Sequence, residues 1–355
     1  MNAPAAGEIL EGASGPRGGG QVAALPQLSL DAYCQGFQRV SQPRPQLPLA
    51  DDTSTSWWRQ LIADGYSGVL QGEPLVKSLQ AALPQLRLPQ VTGISCSDLY
   101  RRLVLHGEEG TSAALQAVGP EPVWQQIESM RLSLAPHPCG AMPVLLTPNE
   151  SDFCLLVRAL AHRCEPVALA HGVHAQAVSG LIHWGLIRHF GPNSRAQLIL
   201  LHEAPYGSVA AHHVPGLPSH ESWLEASTAL RLEHELTHLA TKRLLGEMRL
   251  NLLDELVADC MGMVAALGLF DADLFARCLG LDPNGAPFPY GRWRTYVAEL
   301  DAGDAHHALR LVMERARELQ GLLQAHPDLL RPESAMERLR WLCQQRLDRA
   351  ISVRL

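Results

Sequence analysis

The 355-residue chain carries 29 glycines and 25 prolines, yet the run from Trp223 to Leu245 contains neither. A stretch of that length without a breaker points to one continuous helix. Its ends carry matching signals: Ser222 with Glu225 three residues on forms a capping box, Pro218 stands just upstream, and Gly246 supplies the stop. Ala229, Leu232, Leu236 and Leu239 follow one another at steps of three and four, the spacing of a single apolar stripe. A helix pinned to a core through that stripe turns His234 and His238 to its other side, toward a cleft.

His234-Glu235-Leu236-Thr237-His238 reads HExxH. Residues four apart project from one face, so a tetrahedral zinc ion can take a ring nitrogen from each histidine. Glu235 then stands beside the metal's open position, where a carboxylate can take a proton from an attacking water. The longer form HExxHxxGxxH is excluded, because Thr241 and Leu244 occupy the glycine and third-histidine positions. A third ligand must come from elsewhere. Asn251 suits the N-cap of a second helix running from Leu252 to about Leu267, with Gly268 after it. His238 lies roughly 10 Å before the end of the first helix and Glu255 roughly 6 Å into the second, so the two can meet across an antiparallel hairpin. Glu255 ranks first as the third ligand, with Asp254 and Asp259 the alternatives in the same stretch. Asp259, four residues after Glu255, faces the same way and suits the outer N–H of a metal-bound histidine.

HExxH followed by Glu255 and Asp259 resembles the gluzincin-type zinc metallopeptidases, over roughly residues 222 to 268. The stretch from Asp254 to Asp259 is also similar to a group of bacterial HExxH proteins of unknown function. The resemblance implies His234, His238 and Glu255 as ligands of Zn2+, Glu235 as general base and Asp259 as the partner behind a ligand. It also implies a zincin-like core, with the glutamate helix antiparallel to the HExxH helix beside a small sheet.

The rest of the chain fits an α+β protein dominated by helix. Residues 1–28 read as a flexible tail, 29–135 as a mixed, mostly helical region, and 136–355 as the catalytic region. Met142–Thr147 and Ala196–His202 are short apolar runs with the character of strands, and the second could offer its edge to an extended peptide. Asp152–Arg163 and Val178–Phe190 between them read as helices, as do the segments SDLYRRLVLHG and PVWQQIESMRLSL upstream. Ala305–Gln324 and Glu333–Arg349 carry apolar residues at helical spacing, as packing helices do.

A hydrolase also needs a donor for the oxyanion that forms on attack. Tyr296 and Arg292, four apart after the loop at 282–291, are the candidates; the competing reading makes Tyr296 core and Arg292 a surface charge. His212-His213 and His306-His307 are adjacent pairs whose rings diverge by about 100° on a helix. His171 and His174 read as loop residues.

Composition narrows the function further. Lys plus Arg number 29 against 36 Asp plus Glu, a net charge of −7, which is not the balance of a nucleic-acid binder. Eight cysteines without a CxxC read as reduced thiols. The N-terminus lacks the basic and apolar regions of a signal peptide, and no apolar run is long enough to span a membrane, so a cytoplasmic protein is expected. There is no GxSxG elbow, phosphate loop or GxGxxG after a strand. The expected function is a zinc-dependent hydrolase, a metallopeptidase or amidase acting on a peptide or small amide. The alternatives are a zinc enzyme acting on a small molecule in a biosynthetic pathway, and a zinc-stabilised interaction protein without turnover.

Overall fold

The computed structural model describes residues 28–37, 45–63, 65–108, 110, 114–115, 117–169, 172–181, 196–217 and 219–352. Five strands, β1 (Val69–Gln71), β2 (Arg131–Ala135), β3 (Met142–Thr147), β4 (Ala175–Val178) and β5 (Leu198–His202), form one sheet in the order β1-β2-β3-β5-β4. β3 and β5 run parallel, with Val144 opposite Ile199, and the other pairs are antiparallel. The described helices that accompany the sheet include α1 (Leu30–Cys34), α2 (Thr55–Ile62), α3 (Gly72–Ala82), α4 (Glu150–Leu160), α5 (His220–Leu245), α6 (Leu252–Leu267), α7 (Ala272–Leu279), α8 (Trp293–Tyr296), α9 (Ala302–Ala325) and α10 (Ala335–Leu342). The class is α+β, as expected. None of the described helices is long and apolar enough to cross a membrane.

The period of two along β3 and β5 divides the core. Leu145, Leu198 and Leu200 join Trp58, Leu75, Leu79, Phe153 and Leu156 under α2, α3 and α4. Their neighbours Val144, Ile199 and Leu201 face the other way and meet Leu236 and Leu239 of α5. Both faces are covered, which is why the two central strands read as continuous apolar runs. Beyond α5 lies the largest cluster, in which α6, α7, α9 and α10 pack with Tyr33, Cys34 and Phe37 of the N-terminal segment.

α5 therefore has two buried faces. Leu232, Leu236 and Leu239 pack on the sheet, whereas Trp223, Ala226, Leu230 and Ala240 belong to the helical body. Ala229, expected in the stripe, is exposed, because the turn that carries it lies before the helix reaches the sheet. His234 and His238 point between the helices and are 5% and 6% exposed, not open to a cleft.

α6 comes against α5 at unusually short range. A Cβ placed on Gly262 would stand 2.6 Å from the Leu230 carbonyl oxygen, so only glycine permits this approach. Asn251 caps α6 by accepting from Asp254 N, and Gly268 ends it in the left-handed conformation, as does Gly246 for α5.

Several expectations need correcting. The N-cap of α5 is Ser219, which accepts from Ser222 N, so the helix begins one turn before the Ser222 box. Arg131–Ala135, read within a helical segment, is β2, and Val178 closes β4 instead of opening a helix. β5 lies between β3 and β4 and has no free edge; β4 is the edge on that side. The boundary expected after residue 135 falls between paired strands β2 and β3, and residues 28–37 pack with the C-terminal helices. The last helix stops at Leu342. Residues 1–27, 182–190, His171 and Pro218 lie outside the described residues.

Gly262→Ala should lower unfolding free energy by about 1–3 kcal/mol, since the methyl group has no space and the helices must separate. Urea denaturation of the two proteins checks this; an unchanged midpoint would show that the contact is slack.

Candidate metal centre

Packing α6 on α5 brings three ligating groups together. His234, His238 and Glu255 each offer an atom within 4.8 Å of the others, and all three are buried. The two Nε2 atoms face each other at 3.0 Å. His238 Nε2 is 3.3 Å from Glu255 Oε1, and His234 Nε2 is 3.7 Å from Glu255 Oε2. Donors about 2.0–2.1 Å from a tetrahedral zinc ion are about 3.3–3.4 Å apart, so these separations bracket the edges of such a site. Among the described residues this is the one group of its kind.

Each imidazole has an aspartate behind it. His234 Nδ1 is 2.7 Å from Asp259 Oδ1, which leaves Nε2 bare to face the site. His238 Nδ1 stands 3.3 Å from Asp254 Oδ2. Asp254 thus stands behind the second histidine, and of Asp254, Glu255 and Asp259 it is Glu255 that joins the two histidines in a group able to hold a metal ion. Its Oδ2 also accepts from the backbone N–H of Arg249 and Leu250, 3.1 and 3.0 Å away. The turn between the helices is in this way tied to the ligand it follows.

Tyr206 completes the first pair. Its hydroxyl is 2.9 Å from His234 Nδ1 and donates a short hydrogen bond to Asp259 Oδ1. Burial pushes the phenol well above its ordinary pKa, with Asp259 and Glu255 adding to the effect, so it remains a proton donor. Arg231, itself buried, spends its guanidinium on the carbonyls of His202, Ala204 and Pro205, and so fixes the chain that carries Tyr206. Neither Tyr206 nor the role of Asp254 was anticipated. The one available signal for Tyr206 was a hydroxyl-bearing aromatic just past the end of a buried strand.

The charge balance also suits a cation. Asp254, Glu255 and Asp259 are 0%, 1% and 0% exposed on one helix, a costly arrangement for carboxyl groups without positive charge nearby. Burial acts to raise the Glu255 pKa, but His234, His238 and Arg292 outweigh it and hold the carboxyl well below its usual range. Burial acts to lower the His238 pKa, but Asp254 and Glu255 outweigh it and push it well up. The donor set, two imidazoles and a carboxylate, suits a divalent transition-metal ion.

The remaining expected residues divide. Glu235 is half-buried beside the histidines, close enough to Arg231 to act on its charge, and no described residue hydrogen-bonds its carboxylate. Arg292 Nη2 donates to Glu255 Oε2 at 2.8 Å, and its guanidinium lies 5.2 Å from the Tyr206 ring centre and 5.9 Å from that of Tyr296. Burial raises the Tyr296 hydroxyl pKa, and Glu255 adds to the effect. Arg292 and Tyr296 thus both belong to the site. His212, His213, His306 and His307 are exposed and apart from it. His174 pairs with His202, Nδ1 to Nδ1 at 3.0 Å, at the β4–β5 end of the sheet.

Tyr206→Phe should weaken metal binding by about tenfold, the usual consequence of removing a partner behind a histidine ligand. Competition against a chromophoric zinc chelator measures it; equal affinities would leave Tyr206 a packing residue.

No curated protein and no solved structure matches the chain. The model of a family of unknown function, DUF7005, matches it in two segments, residues 27–197 and 193–353, and the chain belongs to that family.

Proposed function

We propose that the chain is a zinc-dependent hydrolase of amide bonds, a peptidase or amidase with a zincin-like core. The observation that carries this reading is the convergence of three buried groups able to ligate, with no fourth among the described residues and a half-buried carboxylate beside them. A purely structural zinc site closes with four protein ligands, whereas a catalytic one keeps a position for water or substrate. That difference favours turnover over a zinc-stabilised interaction protein.

When bound, the dication would supply Lewis acidity toward an amide carbonyl and the attacking water. His234, His238 and Glu255 would hold it, with Asp259 and Asp254 orienting the two imidazoles. Glu235 takes a proton from the attacking water on its carboxylate and delivers it to the leaving amide nitrogen. The Tyr206 hydroxyl is spent on Asp259 and His234, so it is not free to bind substrate. Tyr296, whose ring lies 5.9 Å from the Arg292 guanidinium and whose hydroxyl burial keeps protonated, is the candidate donor for the developing oxyanion.

Glu235→Gln separates the metal from the chemistry. The variant should bind zinc as the wild type does and lose about 10²–10⁴-fold in hydrolysis of a fluorogenic peptide and acyl-amide library. Undiminished hydrolysis in the variant would remove Glu235 from the mechanism. A zinc-loaded wild type that cleaves no member of the library would favour the interaction protein.

A further inference from the structure

We propose that Arg292 selects substrates with a carboxylate next to the scissile amide, such as N-acyl amino acids or the C-terminal residue of a peptide. This inference rests on the hydrolase reading above. Of the charged side chains around the three ligating groups, Asp254, Glu255, Asp259 and Arg231 are 3% exposed or less. Arg292 differs: 26% of its side chain reaches solvent, and among the described residues only Nη2 finds a hydrogen-bond partner. Its Nε and Nη1 donors are unspent, whereas Arg231 is saturated by backbone carbonyls. The guanidinium is held against the rings of Tyr206 and Tyr296, so the free edge is fixed in direction, not swinging on a long stem.

Arg292 and Glu255 pair at 2.8 Å. A dication held by Glu255 would draw on its charge and leave the partly exposed Arg292 under-compensated beside the site. A planar guanidinium with a free edge then suits a carboxylate, which it can bind through two parallel N–H bonds. A substrate that places its amide carbonyl at the metal and its carboxylate a few bonds away would satisfy both.

Calorimetric titration of the zinc-loaded protein with succinamate and succinamide tests this, because both offer an amide and only succinamate carries a carboxylate. Zinc content is measured first. Succinamate should bind about tenfold more tightly than succinamide. The gap should close in Arg292→Gln and shrink in Arg292→Lys. Equal binding of succinamate and succinamide by the zinc-loaded wild type overturns the proposal and leaves the hydrolase reading standing. A wild type that takes up no zinc overturns the hydrolase reading itself. If Arg292→Gln loses its metal, the Lys variant and the succinamide comparison decide the matter.

Discussion

Three carboxyl groups on consecutive turns of one buried helix are the constraint that the rest of the molecule answers. Asp254, Glu255 and Asp259 are each almost wholly withdrawn from water, and their charge cannot be accommodated by packing alone. The structure surrounds them with donors: two imidazoles from α5, the Arg292 guanidinium, the Tyr206 hydroxyl and two backbone N–H groups from the turn before α6. A metal ion between the imidazoles and Glu255 would complete that answer.

The scaffold holds that arrangement from two sides. The sheet fixes α5 through Leu232, Leu236 and Leu239, and the helical body fixes it again through Trp223 and Leu230. The two helices then meet at Gly262, where no side chain keeps the backbones apart. Tyr33, from the N-terminal segment, accepts from Leu252 N at the start of α6 and donates to the Tyr296 carbonyl. One hydroxyl therefore links the helix that carries Glu255 to the turn that carries Arg292. Arg249 and Asn251 bind carbonyls of the same N-terminal segment. Rigid support of this kind is what a preorganised metal site requires.

The sequence revealed most where the signal was local. The absence of breakers, the Asn251 cap and the two glycine stops defined α5 and α6, and spacing within them singled out His234, His238, Glu255 and Asp259, which the structure brings together. The start of α5 was read one turn late because two serines three residues apart both suit a cap, and only Ser219 has the extended backbone that a cap needs. β2 was hidden because Ile127, Met130 and Leu134 imitate helical spacing; its alternation has meaning only once β3 lies beside it. β1 and β4, of three and four residues, are too short to carry a period. Tyr206 was out of reach for a different reason. It meets Asp259 across 53 residues of chain, and nothing near it in sequence announces the partner. Asp254 was visible but was weighed as a rival ligand, since adjacency to Glu255 does not show which way each carboxyl group points.

A three-ligand metal site built by α5 and α6 is read out in metal content, measured by plasma mass spectrometry on the wild type and on Glu255→Ala, both purified without added metal. Close to one zinc per chain is expected in the wild type, with loss of that zinc in the variant. Equal metal content in the two proteins, or none in either, would leave His234 and His238 as buried histidines paired to aspartates.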